Sequence, residues 1–262
     1  MLSALGLSDL GTLALLSLMA SGPAFGQWMN YKTPGASRNA DGTVNLIAPA
    51  PKTAGGKPDI EGVWQVPVPP LLLADLAKDL KAGELSMTPW AEDLYKQRRA
   101  TESKDDPHHS CIVGGVPRTY LPPYPFKIVN HPGVVIILFE AMQTYRQIFT
   151  DGRALPNDPN PSWLGYSVGR WEGDTFVAET TGFKDAGWLD TDGHPLSDGL
   201  RVTERFRRRD FGHLDVQVTI NDPKAYAKPW TVNLPLTYQP DTELIEFVCN
   251  ENNLDLPHLV GK

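Results

Sequence analysis

Residues 134–183 read VVIILFEAMQTYRQIFTDGRALPNDPNPSWLGYSVGRWEGDTFVAETTGF, and this stretch decides the fold class. Val134–Glu140 and Thr144–Thr150 are rich in β-branched and aromatic residues and are separated by Ala141–Gln143. Trp163–Arg170 and Asp174–Thr181 flank Trp171-Glu172-Gly173. Such runs suit a pleated, half-buried surface, and short polar or glycine turns between them give hairpins. The stretch predicts two consecutive β-hairpins.

The pattern continues downstream. Leu200–Arg208 sets Leu200, Val202, Glu204 and Phe206 against Arg201, Thr203, Arg205 and Arg207. His213–Asn221 alternates Leu214, Val216, Val218 and Ile220 with polar partners, which is the period of a strand with one buried face. Trp230–Tyr238 and Glu243–Cys249 predict a third hairpin across Gln239–Thr242. Upstream, Gly62–Val66 is the first strand, and Phe126–Asn130 turns through His131-Pro132-Gly133 into the central stretch. About ten strands in sequential antiparallel order predict a mainly β meander. A meander removes its edges by closing into a barrel.

Two helices interrupt it. Leu71–Ala82 places Leu72, Leu76 and Leu80 on one face and stops at Gly83. Thr88-Pro89 supplies an N-cap and a first helical residue, with Glu92 and Asp93 early, Arg98 and Arg99 late, and Trp90 and Leu94 as the docking pair. Together they form a helical insert over 71–102.

Met1–Gly26 carries the apolar run Leu10–Ala20 and then Ala24-Phe25-Gly26, a signal-peptide pattern with a cut before Gln27. An eleven-residue run is too short to span a bilayer. The expected location is periplasmic or secreted. Residues 27–60 form a Pro/Gly-rich arm, a strap with Trp28 and Tyr31 as pegs, and 61–262 a single barrel domain. Within the arm, Gly42–Leu46 and Gly56–Ile60 echo one another. In an oxidising compartment Cys111 and Cys249 pair as one disulfide. The formal net charge of −7 argues against nucleic acid, and the basic run Arg205–Arg209 is a solvated strand edge.

Gly62-x-Trp64 on the first strand, ahead of a long meander, resembles the lipocalin-like (calycin) barrels. The chain also resembles exported bacterial proteins of uncharacterised function, through GKPDIEGVWQ (56–65), YRQIFTDGR (145–153), GYSVGRWEGDTFVAETTGF (165–183) and LRVTERFRRRDF (200–211). The resemblance implies export and a β-rich fold and brings no catalytic assignment.

Polar residues on inward positions of a barrel are costly unless they pair or act on something. Arg146, with Glu140 or Glu179 near it, is a candidate carboxylate clamp. His194, in the loop feeding Leu200–Arg208, is a candidate general acid or base, and Glu204 on the apolar face of its strand is its partner. Tyr145, Trp163, Tyr166, Tyr226 and Trp230 are candidate aromatic walls. Asp105–Cys111 lacks metal-ligand spacing, so no metal and no cofactor are expected. There is no H-E-x-x-H, G-x-G-x-x-G or P-loop.

The residues name no substrate and no oligomeric state. The first expectation is a barrel that binds a small, largely apolar or aromatic molecule in its interior. The second is a cofactor-independent lyase, isomerase or hydrolase using His194, Glu204 and Arg146. The third is an envelope or polysaccharide-binding module.

Overall fold

The computed structural model describes residues 31–67 and 75–251. The signal pattern, Trp28, residues 71–74 and the end of the tail lie outside the described residues.

Nine strands form a closed barrel in sequence order. They are β1 (Gly62–Gln65), β2 (Phe126–His131), β3 (Val134–Phe139), β4 (Thr144–Phe149), β5 (Tyr166–Glu172), β6 (Thr175–Thr181), β7 (Arg201–Arg208), β8 (His213–Asn221) and β9 (Trp230–Tyr238). Closure comes from β1 pairing with β9 at Trp64↔Tyr238 and Gln65↔Thr237. The meander is antiparallel except at one joint, where β4 and β5 run parallel. Both expected hairpins of the central stretch form, β3–β4 and β5–β6, and the chain returns along the barrel through 150–165 so that they meet in parallel. The parallel joint is short, with partners only at Ile148↔Ser167 and Phe149↔Val168.

Two expectations fail. Glu243–Cys249 is not a strand. The edge of β9 near Tyr238 is already used by β1, and the Ile245 N–H donates to the Glu140 carboxylate at 3.0 Å instead of to a ladder. Residues 75–82 are turns, not helix. The Leu76 N–H goes to Asp190 at 2.8 Å and the Ala77 N–H to the Asp75 side chain at 2.8 Å, so carboxylates take donors that a helix over 71–82 would have given to the carbonyls four residues earlier.

One helix of the insert forms as expected. It is α1, Pro89–Ala100, and the Ala91 N–H donates to the Thr88 hydroxyl. Its docking face is one residue away from the expected one. Ala91 is fully buried and Tyr95 stacks on His194, while Trp90 is 48% exposed. The start of α1 is tied to the loop before β9 by Thr88 N–H to Ala225 O and Ala227 N–H to Ser86 O. The helix therefore covers the end of the barrel where β7 and β9 begin. No helix among the described residues is long and apolar enough to cross a membrane.

The barrel interior is packed. Trp64, Phe126, Phe176 and Phe206 are each no more than 1% exposed. At Gly169 an added Cβ would lie 2.5 Å from Phe176 and 2.8 Å from Ile148, so the position has room only for hydrogen. Tyr120 enters from the 118–120 turn, against Phe126, Phe139 and Phe206.

The opposite end is closed by Arg208. Its guanidinium lies over the rings of Trp64, Phe211 and Tyr238 and donates to the carbonyls of Asp59, Glu61, Asp210 and Phe211. Burial lowers its pKa. Of the basic run expected at a solvated edge, Arg205 and Arg209 do pair at the surface, but alternation turns Arg208 inward.

The arm wraps this end, with Phe211 and Gly212 N–H donating to Ala48 and Leu46 O. The echo in the arm is structural. Asn39 N–H donates to Thr43 O, Gly42 to Asn39, and Asn45 to Ser37; fourteen residues on, Thr53 donates to Lys57, Gly56 to Thr53, and Asp59 to Pro51. One turn is built twice, each time closed by a single bridge, Arg38↔Val44 and Lys52↔Pro58. Tyr31 donates to Glu243 at 2.8 Å, a peg as expected. Cys111 and Cys249 form a disulfide.

Candidate functional site

Alternation along β4 and β7 turns Arg146 and Glu204 into the barrel, where they form a bidentate ion pair at 3.0 and 2.5 Å. Arg146 Nε donates to Ser167 Oγ at 3.0 Å, Nη1 also to Tyr120 Oη at 2.8 Å, and Nη2 also to Thr180 Oγ1 at 2.7 Å. A guanidinium has five N–H groups, and all are used. Tyr120 Oη in turn donates to Glu204 at 2.7 Å. Burial opposes the charge on Arg146, but Glu204 and Tyr120 outweigh it and raise its pKa. Burial and then the Glu204 charge raise that of Tyr120 well above the ordinary value, keeping it a neutral donor. The guanidinium therefore has no donor left for a substrate carboxylate. Glu140 and Glu179 do not join it. Glu140 holds the Ile245 N–H, and Glu179 pairs with Arg170 on the outer face.

The network does border a cleft. Beyond the short parallel joint β4 and β5 separate, and a cleft of about 480 Å³ opens between them. Tyr145, Phe149, Trp163 and Tyr166 line it, with Thr144, Gln147 and Ser162 among them and Arg146 and Ser167 bordering it. Tyr145 is 61% exposed. Tyr166 packs on Phe149 at 5.3 Å, and Lys184 Nζ lies 5.2 Å from the Trp163 ring centroid.

His194 belongs to a different cluster, under α1. Its Nδ1 lies 2.6 Å from Asp190 Oδ2 and 3.8 Å from Asp75 Oδ1, and its ring stacks on Tyr95. Trp230 lies 6.2 Å away, centroid to centroid, and Tyr226 packs on Trp230 at 5.4 Å. Tyr226 Oη donates to Pro195 O, and burial raises its pKa. No hydrogen bond or ion pair among the described residues joins His194 to Glu204 or Arg146. The expected aromatic walls thus divide, Tyr145, Trp163 and Tyr166 to the cleft, Tyr226 and Trp230 to the histidine. Burial lowers the Arg98 pKa to about 10, where the side chain lies over Trp188 and donates to Gly193 O.

Sequence reasoning missed Tyr120, Thr180 and Asp75, which reach these clusters from distant segments. Asp190 carried a signal, since it stands four residues before His194 in a tight loop.

A third polar group lies beside the disulfide. Asp106 and Arg118 form a buried bidentate pair at 2.9 and 2.5 Å. His108 Nδ1 is buried without a partner. Burial, and then Arg118, lowers the pKa of His108; Asp106 opposes this and His109 adds to it. The unfolded chain takes up a proton near pH 6.5 that the folded chain accepts only at lower pH. Stability is therefore expected to fall as pH drops below about 6.5. Urea unfolding at pH 7.5 and 5.0 measures the loss, and in His108→Gln the loss should be smaller.

Comparison of the chain with protein-family models, with curated proteins and with solved structures finds no match.

Proposed function

We propose that the protein is an exported barrel that binds a small, largely apolar or aromatic molecule, and that it does so in the cleft between β4 and β5. One observation carries this reading: four aromatic side chains line a cleft of about 480 Å³ at the joint where the wall is incomplete. That volume lies in the range of small-molecule sites. A flat ligand would stack on the Tyr145 and Trp163 rings, with Thr144, Gln147 and Ser162 available to orient it. Export to the periplasm or beyond is supported by the disulfide, since such bonds persist in oxidising compartments.

The expected interior site loses support because the interior is packed, and the cleft in the wall is the better-supported place. The acid–base reading loses support because its histidine and its carboxylate sit in separate networks. A second reading keeps the cleft and changes the ligand. Exposed aromatic faces with interspersed hydroxyl and amide groups also suit a sugar ring, so the polysaccharide-binding alternative stays in the comparison.

The test is titration of the full chain with a panel of small aromatic compounds and short oligosaccharides, read by tryptophan fluorescence and melting temperature. Tyr145→Ala is expected to weaken binding about tenfold or more, from loss of one stacking partner in a desolvated contact. Because Tyr145 is mostly exposed, its melting temperature without ligand should not change. Trp163→Phe identifies the fluorescence signal. Absence of any response across both panels overturns the proposal, and a response to sugars alone selects the second reading.

A further inference from the structure

We propose that Asp75, Asp190 and His194 form a binding site for a divalent first-row metal ion of the zinc class, at the α1 end of the barrel and separate from the β4–β5 cleft. Each residue offers one ligand atom, and these atoms lie within 4.8 Å of one another. They come from two segments, the 75–79 turn and the loop between β6 and β7, so the triangle is a product of tertiary structure. One imidazole nitrogen and two carboxylate oxygens are a donor set that zinc accepts, with a fourth position left over.

The ligands are held in place. Asp190 Oδ1 accepts the Gly193 and His194 N–H groups, each at 3.0 Å, and Oδ2 accepts the Leu76 N–H at 2.8 Å. The His194 ring is fixed against Tyr95, with centroids 4.7 Å apart and planes at 26°. Such outer contacts orient metal ligands and are part of a working site. From Nδ1 the two carboxylates stand at 2.6 and 3.8 Å. Bonds of about 2.0–2.1 Å at tetrahedral angles place ligand atoms roughly 3.3 Å apart, between those two separations. An ion bound at Nδ1 takes the place of the Nδ1–Asp190 contact, and the ring N–H is then carried on Nε2. Two carboxylates with a neutral imidazole leave two negative charges for the cation to balance.

Two further observations point to a ligand here. Asp75 also lines a cleft of about 510 Å³ beside Thr231–Pro235 of β9, which gives the triangle a route to solvent. The Trp230 Nε1–H, on a side chain 3% exposed and next to His194, is buried without a partner. Its ring centre lies 6.2 Å from that of His194, so an unused donor stands in the neighbourhood of the triangle.

The experiment uses the full chain stripped by a chelator and titrated with zinc chloride in a calorimeter. One equivalent should bind and raise the melting temperature, and cobalt(II) should give the visible bands of a four-coordinate N/O site. His194→Ala and Asp75→Asn should each weaken binding at least tenfold. Asp190→Asn risks the fold through its three backbone contacts, whereas Asp75 is partly exposed, so Asp75→Asn serves as the folded control. Lack of stoichiometric binding overturns the proposal. So does zinc binding unchanged in Asp75→Asn and His194→Ala, which would place the ion on other histidines. Tyr145→Ala should leave zinc binding intact, which keeps this outcome distinct from that of the cleft.

Discussion

Glu204→Ala is expected to lower the unfolding free energy by about 3–5 kcal/mol, the range for removing one partner of a buried ion pair. The reason lies in what stays behind. Arg146 would lose two of its acceptors and its counter-charge while remaining sealed in the barrel, and the Tyr120 hydroxyl would lose its acceptor as well. The Tyr120 hydroxyl cannot reach water without disrupting the packing of its ring on Phe126, Phe139 and Phe206, and Arg146 is only 2% exposed. Replacing both charges with apolar residues of similar size, Arg146→Met with Glu204→Leu, should recover most of the loss, because no uncompensated charge remains. Equilibrium unfolding in guanidinium measures both variants. A loss below about 1 kcal/mol for Glu204→Ala would mean that the pair is solvated, contrary to the burial seen here.

The second large effect concerns the disulfide. It joins residues 138 apart in sequence, from the turn after His109 to the segment beyond β9. In the chain-entropy account a loop of that length corresponds to about 5 kcal/mol, and native disulfides typically contribute about 2–5 kcal/mol when removed. Cys111→Ser with Cys249→Ser is therefore expected to lower stability by an amount in that range, measured by denaturant unfolding. The variant should also release the 243–249 segment first. Among the described residues that segment has no strand ladder and is held by side chains, Glu243 to Tyr31 and Lys127, and Ile245 N–H to Glu140. Accelerated proteolysis in 243–249, with the barrel intact, is the expected early sign. An unchanged unfolding midpoint would contradict the assignment of the bond as a stabilising link.

The strands were legible because alternation in β7 and β8 is a local signal, and it also gave the inward direction of Glu204. Arg208 obeys the same alternation, yet as part of a basic run it reads as surface; only the carbonyls of the arm and of the Phe211 turn, far apart in sequence, explain its burial. The turn at 75–82 has the apolar spacing of a helix. A carboxylate 114 residues away takes the Leu76 N–H, and no local pattern announces that. Glu243–Cys249 has the composition of a strand but no free edge to join, and edges are a property of the closed sheet. The two halves of the expected catalytic set were each individually visible. Their separation was not, because Arg146 and Glu204 meet through strand register whereas His194 is positioned by a loop and a helix.

The short joint between β4 and β5 has a further meaning for how such a molecule can be altered. A barrel entered at its mouth has to keep its end loops adjustable, and those loops then carry both access and stability. Here one end is closed by a cation over three rings and the other by a helix and a cross-linked turn, while the side wall carries the opening. Under the proposed binding role, changes to the rim residues would reshape what the cleft takes without loosening either end, so recognition and endurance would be free to vary separately.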